Sequence, residues 1–321
     1  MAREAPAIYL ITGGAGFIGS HIAERLLAAG ERVRILDDFS TGSRTTAARL
    51  AAAHPATLEV AEGDIGDPES CRRALQGVRF VFHEAALASV PRSLERPEET
   101  NRANVTGTLN VLLAARDAGV ERVVYAGSSS VYGANPELPK REQMRPAPLS
   151  PYALSKYVGE EYARLFDEHF GLRTVTLRYF NVFGPRQDPD SPYAAVIPLF
   201  VKSLMEGRAP VIHGDGGQTR DFTYVPNVVD ANLVACHSPA ARGTYNIACG
   251  ARTSILELLA MLQDLLGTRI APTHAAPRPG DVRDSLADIS RARADLGYAP
   301  ETDLRAGLAA TVAYFRERFG G

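Results

Sequence analysis

Neither sign of charge dominates this chain: 35 lysines and arginines stand against 37 aspartates and glutamates over 321 residues, a net charge of −2. No global field therefore gathers nucleic acid or an anionic membrane, and an anionic ligand has to be held by a few local groups. Long apolar runs are also missing. None approaches the roughly eighteen residues of a membrane span, and a first strand beginning at residue 7 leaves no room for a signal peptide, so a cytoplasmic protein is expected. Cysteine is scarce: Cys71, Cys236 and Cys249 are odd in number and far apart, which suits reduced, buried thiols. The histidines, among them His21, His83, His169 and His213, show no ligand spacing, and no metal is expected. What remains is 45% hydrophobic and 22% charged, enough to bury a full core in one large or two modest domains.

The most informative stretch is Ile8-Tyr9-Leu10-Ile11-Thr12-Gly13-Gly14-Ala15-Gly16-Phe17-Ile18-Gly19, a short apolar run, a glycine turn and the start of a helical pattern. A dinucleotide site needs that order. Gly13 and Gly16 bring the backbone close to a pyrophosphate, Gly19 packs helix on strand, and the helix N-terminus offers unpaired N–H groups. A second apolar run, Val33-Arg34-Ile35-Leu36, ends in Asp37. Its carboxylate can accept from the adenosine ribose hydroxyls and would repel a 2′-phosphate, so NAD is expected as cofactor in preference to NADP.

From residue 7 to about 180 the pattern alternates strand and helix, as in an α/β doubly wound parallel sheet of the Rossmann type. Six parallel strands are expected at 7–12, 32–37, 57–61, 78–83, 121–127 and 172–178. Helices are expected near 17–29, 43–53, 69–76, 98–118 and 151–170, with Gly30, Gly77, Gly119 and Gly171 as stop signals. After Asn181 the rhythm breaks at Pro185, Pro189, Pro192 and Pro198. The expected division is a cofactor-binding domain over 1–180 and a smaller α/β substrate domain over 181–321, with chain crossings between them and a cleft beyond the strand ends.

Tyr152-Ala153-Leu154-Ser155-Lys156 sets a phenol and an ammonium four residues apart, on one face of a helix. A free tyrosine titrates near ~10, but a fixed cation a turn away, with the positive nicotinamide of NAD, favours the phenolate. Tyr152 can then take a proton from a sugar hydroxyl. Such pairs occur on many solvated helices, so position matters. The strand over 121–127 delivers Gly127-Ser128-Ser129-Ser130-Val131-Tyr132-Gly133 to the same sheet edge, where a serine hydroxyl can hydrogen-bond the reacting oxygen.

With these residues the chain resembles the extended short-chain dehydrogenase/reductase superfamily and, within it, the UDP-hexose 4-epimerases. The T-G-x-x-G-x-x-G signature is Thr12 to Gly19, and Y-x-x-x-K is Tyr152 to Lys156; the S-S-x-x-V-Y-G segment is Ser128 to Gly133, one residue shorter. The resemblance implies Ser128, Tyr152 and Lys156 as catalytic, with Ser129 and Ser130 as neighbours able to share the serine's role. It implies an NAD site of Gly13, Gly16, Phe17, Ile18, Gly19, Asp37, Asp38, Ser40, Thr41, Gly42, Asp64, Ile65, Ala85, Ala86, Asn104, Tyr152, Lys156 and Tyr179. For a UDP-sugar it implies Ser89, Ser128, Ser130, Tyr152, Asn181, Ala195, Val196, Arg220, Arg278, Asp281 and Ser285. Arg220 and Arg278 would clamp the diphosphate, Asp281 would accept from the ribose, and Ser285 would leave room for an acetamido group at C2. The segment Gln187 to Pro198 resembles the contact loop of epimerases that accept N-acetylated sugars, as does His83 to Ser93.

The implied reaction is epimerisation at C4 through a 4-keto sugar, with NAD regenerated in each cycle. UDP-glucuronate 4-epimerase is the nearest rival. Nucleotide-sugar dehydratases need an Asp-Glu pair where Ser129 and Ser130 stand, and a non-catalytic NAD-binding regulator would not need the Ser, Tyr and Lys set. A homodimer is expected: Leu109, Leu112, Leu113, Val158, Tyr162 and Leu165 on the 98–118 and 151–170 helices belong either to the core or to the two-fold helix bundle that the resemblance implies.

Overall fold

The computed structural model describes residues 7–277 and 282–319. Its centre is a seven-stranded parallel sheet of β1 (Ile8–Thr12), β2 (Arg32–Asp37), β3 (Leu58–Glu62), β4 (Val78–His83), β5 (Arg122–Ser128), β6 (Arg173–Tyr179) and β7 (Gly243–Ile247). The order is β7-β6-β5-β4-β1-β2-β3. Because β1 is flanked by both β2 and β4, with Thr12 level with Leu36 and His83, the strand order reverses beside β1 and opens a crevice at the carboxyl ends.

Helices cover both faces, and the inner strands are buried accordingly, as in β1 (Ile8–Thr12) and β5 (Arg122–Ser128), while the edge strand β3 (Leu58–Glu62) alternates and is largely exposed. On one face Ile22 and Leu26 of the helix Phe17–Ala28 meet Val228 and Val229 of the helix Val225–His237 in one cluster. On the other, Val111, Leu112 and Ala115 pack with Cys71, Leu75 and Val123. Leu112 thus belongs to the monomer core, while Leu109, Leu113 and Tyr162 lie partly buried against it. A third cluster, with Phe200, Leu258 and Phe315, joins the helices Val196–Met205, Ile255–Leu266 and Leu304–Phe319.

Two expectations are corrected. The sheet has seven strands and not six: Gly243–Ile247 pairs with β6, so the chain returns to the sheet well after residue 180. The helix expected over 98–118 is three pieces, Pro97–Asn101, a π-helical turn Arg102–Thr106 and Gly107–Asp117. That turn carries Asn104, whose Oδ1 accepts from the Leu87 N–H at 2.8 Å while Nδ2 donates to the Ser155 hydroxyl at 2.9 Å.

The helix Pro151–His169 starts where Ser150 Oγ accepts from the Ala153 N–H and Pro151 fills the first turn. Its buried face, Ala153, Lys156, Gly159, Glu160, Ala163 and Phe166, follows the helical period. Against β5 the fit is close: a Cβ on Gly159 would stand 2.2 Å from the Tyr125 hydroxyl.

Candidate active site

The crevice beside β1 is a cleft of about 390 Å³. Gly13, Gly16, Phe17, Ile18 and Gly19 line it on one side, with Asp37, Asp38, Ser40 and Thr41 along β2 and its loop. Asp64, Ile65, Ala85, Ala86, Ser89 and Ala195 close the rest. Gly13 has φ +67°, and a Cβ there would meet the Ala85 backbone at 2.8 Å; one on Gly19 would meet the Gly13 carbonyl at 2.4 Å. The turn therefore has no room for side chains. The helix N-terminus beyond it has no side-chain cap and no acidic residue in its first turn, which leaves its N–H groups and dipole for an anion.

Asp37 Oδ2 accepts from the Ala15 N–H and Oδ1 from the Phe39 N–H, each at 2.9 Å. Burial pushes its carboxyl upward, and those two bonds oppose the rise. Gly42 lies against it, where a Cβ would stand 2.5 Å from Oδ1. Asp64 is tied to the Gly66 N–H at 2.6 Å and to Arg102 at 2.5 Å. A cradle for pyrophosphate and an acceptor at the end of β2 fit a dinucleotide such as NAD.

A second cavity, of about 380 Å³, shares Phe17, Ile18 and Ala88 with this cleft. It brings together Ser128, Ser129, Ser130, Tyr152, Tyr179, Asn181, Arg220 and Ser285, residues from five segments of the chain. The end of β5 delivers the serines, whose Ser128 and Ser130 hydroxyls are 2.8 Å apart. Tyr152 enters from the first turn of its helix. Burial pushes its phenol up, and a hydrogen bond with Ser128 opposes the rise. The phenolate anticipated from Lys156 thus meets a larger opposing effect in the protein alone.

Two implied cofactor contacts are set back from the cleft wall. Lys156 is 4% exposed and donates from Nζ to the Ala126 carbonyl at 2.9 Å. Asn104 is 1% exposed with its amide spent on Leu87 and Ser155, so it braces the wall and does not form it. Glu84, inside the segment His83 to Ser93, is a candidate that no motif marks. It lines the cleft and accepts from the Tyr179 hydroxyl at 2.8 Å, while Tyr179 is fixed from behind by Asn232.

A third pocket of about 210 Å³ continues from the second, lined by Asn181, Ala195, Val196 and Arg220 among apolar residues that include Phe200 and Phe222. Asn181 holds φ +35° and donates to the Asp221 carbonyl at 3.0 Å. Arg220 donates to the carbonyls of Thr219 and Arg283, both at 2.9 Å. Ser285 is 6% exposed, its N–H bonded to the Thr219 carbonyl, on the wall of the cavity that holds Tyr152. Arg278 and Asp281 lie outside the described residues.

Residues 9–248 match the model of the NAD dependent epimerase/dehydratase family. A putative UDP-glucose 4-epimerase of Methanocaldococcus jannaschii is 39% identical, the match covering 96% of this chain and 98% of that protein. UDP-glucuronate 4-epimerase 4 of Arabidopsis thaliana is 32% identical over 97% of this chain and 76% of its own length. Among solved structures, UDP-N-acetylglucosamine 4-epimerase from Methanobrevibacter ruminantium in complex with UDP-N-acetylmuramic acid superposes with a TM-score of 0.92, at 38% identity, covering 99% of this chain and all of that one. The glycine cradle, the acceptor ending β2 and the Ser-Tyr-Lys set agree with these matches: the chain belongs to the NAD dependent epimerase/dehydratase family.

Proposed function

We propose that the protein is a UDP-sugar 4-epimerase that interconverts UDP-GlcNAc with UDP-GalNAc and UDP-glucose with UDP-galactose. The observation that carries this reading is the cavity that places Ser128, Tyr152 and Ser285 around one space opening onto the dinucleotide cleft. NAD held there by the Gly13–Gly19 turn and Asp37 supplies the hydride acceptor for the first half-reaction and the hydride donor for the second.

The chain's own residues do the rest. Tyr152 takes the proton of the sugar's O4 as the hydride leaves C4 and gives it back when the hydride returns, while Ser128 hydrogen-bonds O4 and steadies the geometry. Lys156, buried a turn behind Tyr152, places a positive charge where phenolate develops. Arg220 lines both the second and the third cavities and would supply a cation for the diphosphate. A space of about 380 Å³ gives the 4-keto sugar room to turn before reduction from its other face. The small Ser285 side chain leaves room for an acetamido group.

Tyr152→Phe removes the base and leaves the glycine cradle untouched. Turnover of UDP-glucose and UDP-GlcNAc should fall by on the order of a hundredfold or more, with NAD still released on denaturing the variant. Near wild-type turnover in that variant would refute the assignment.

A further inference from the structure

The segment Arg283 to Asp288, which brings Ser285 to the cavity of Tyr152, forms isolated bridges and no strand, Asp284 with Thr219 and Ala287 with Lys140. Other residues have to fix it. On one side the Thr219 N–H donates to the Arg283 carbonyl and the Ser285 N–H to the Thr219 carbonyl, both at 3.1 Å, while Thr219 Oγ1 donates to Asp284 Oδ1 at 2.6 Å. Lys140 holds it as well: its N–H donates to the Leu286 carbonyl at 2.7 Å, and its carbonyl accepts from the Asp288 N–H at 2.8 Å.

Asp221 is the charged group in this seat. It is fully buried, and three main-chain N–H groups converge on its carboxylate, that of Cys249 on Oδ1 at 3.0 Å and those of Gly250 and Ala287 on Oδ2, both at 3.1 Å. Cys249 and Gly250 lie just past β7, which pairs with β6 and through it with β5. One carboxylate thus joins the Ser285 segment to the sheet that delivers Ser128. The Asp221 carbonyl also accepts from Asn181 Nδ2 at 3.0 Å, and the preceding residue, Arg220, donates to the Arg283 carbonyl at 2.9 Å. Burial pushes the Asp221 carboxyl up to about 6 and its N–H bonds oppose the rise, so at neutral pH it is ionised, the acceptor-only group that three donors require.

We infer that Asp221 is a positioning residue for the UDP-sugar: its buried carboxylate clamps the Ser285 segment to the end of β7 and so sets where Arg220, Asn181 and Ser285 stand relative to Ser128 and Tyr152. This rests on the substrate-binding roles proposed above for Arg220 and Ser285. Fully buried and outside the lining of both cavities, Asp221 reaches neither sugar nor cofactor and acts through the main chain of its partners. The leverage is large, because a binding group misplaced by about 1 Å can cost up to about a hundredfold.

Asp221→Asn keeps the shape of the side chain, but its NH₂ has to face at least one of the three N–H groups, and the clamp opens there. Thr219→Val breaks the bond to Asp284 in the same seat and leaves Asp221 intact; Thr219→Ser keeps that bond. With NAD bound, calorimetry should show the Kd for UDP rising about tenfold or more in Asp221→Asn and about fivefold in Thr219→Val, with Thr219→Ser near wild type. KM for UDP-glucose should rise in parallel while kcat stays within about threefold, since Tyr152 and Lys156 sit on a helix outside the clamp. A merely structural carboxylate would lower the melting temperature and the yield of NAD-bound protein, and leave Kd and KM of the folded fraction unchanged. A Kd within about twofold of wild type in folded Asp221→Asn overturns the inference, as does a fall in kcat at constant KM. Should Asp221→Asn not fold, Thr219→Val decides by the same limits, with Thr219→Ser as its control. Wild-type protein that binds UDP and turns over no UDP-sugar would refute the epimerase reading alone, so the two failures are separable.

Discussion

At the residue scale the proposed choice of substrate turns on Ser285. It is nearly buried on the wall of the cavity that holds Tyr152, and its backbone is held by Thr219. Tyrosine there adds a ring to a closed wall, and overpacking should oppose an acetamido group at C2 far more than a hydroxyl. For Ser285→Tyr, kcat/KM for UDP-GlcNAc relative to UDP-glucose should drop about tenfold or more, with a thermal melt to verify the fold. An unchanged ratio would place the N-acetyl group elsewhere. At this scale the sequence was readable where local geometry dictates residue type: a tight turn demands glycine, and four-residue spacing sets Tyr152 and Lys156 on one helix beginning at Pro151. Glu84 was not readable in this way. Its partner Tyr179 lies 95 residues further along the chain, and nothing local marks a glutamate that follows an apolar strand.

Among the elements, β1, β4 and the helix Gly107–Asp117 are braced by His83, which bonds Thr12 Oγ1 at 2.7 Å and Thr108 Oγ1 at 2.9 Å. Its pKa is about 3 in the folded chain against 6.5 ordinarily, so below pH 6.5 only the unfolded state takes up the proton. Stability should therefore be intact above about 6.5 and fall as pH drops toward 3, by up to about 1.4 kcal/mol per unit. Urea unfolding should show wild type losing about 2 kcal/mol more than His83→Asn between about pH 6.5 and pH 5; equal losses would mean that His83 titrates normally. The first six strands were legible because each carries apolar residues in a continuous run, as in β1, or in alternation, as in β3 and β6, between helical patterns. The seventh, Gly-Thr-Tyr-Asn-Ile, was hidden: Asn246 is fully buried, and it is paid for by Tyr132, Lys140 and Asp288, partners far away in sequence. The π turn at Arg102–Thr106 likewise follows from tertiary bonds of Asn104 and has no signature of its own.

For the molecule as a whole, the reversal of strand order sets the cofactor cleft against β1, and the ends of β5 and β6 bring the serines, Tyr179 and Asn181 to its mouth. Later segments supply Arg220 and Ser285 to the same space. On the proposed function, these two cavities form one reaction chamber in which a hydride leaves C4 of a UDP-sugar and returns to its opposite face. The most direct measurement is NMR of the products when the purified protein, with no cofactor added, meets UDP-glucose, UDP-GlcNAc and UDP-glucuronate in turn. The C4 epimers of UDP-glucose and UDP-GlcNAc should accumulate to equilibrium, with no net NADH and with NAD recovered on denaturation. No epimer from any of the three, or conversion only with stoichiometric NADPH, would rule out a 4-epimerase that recycles bound NAD.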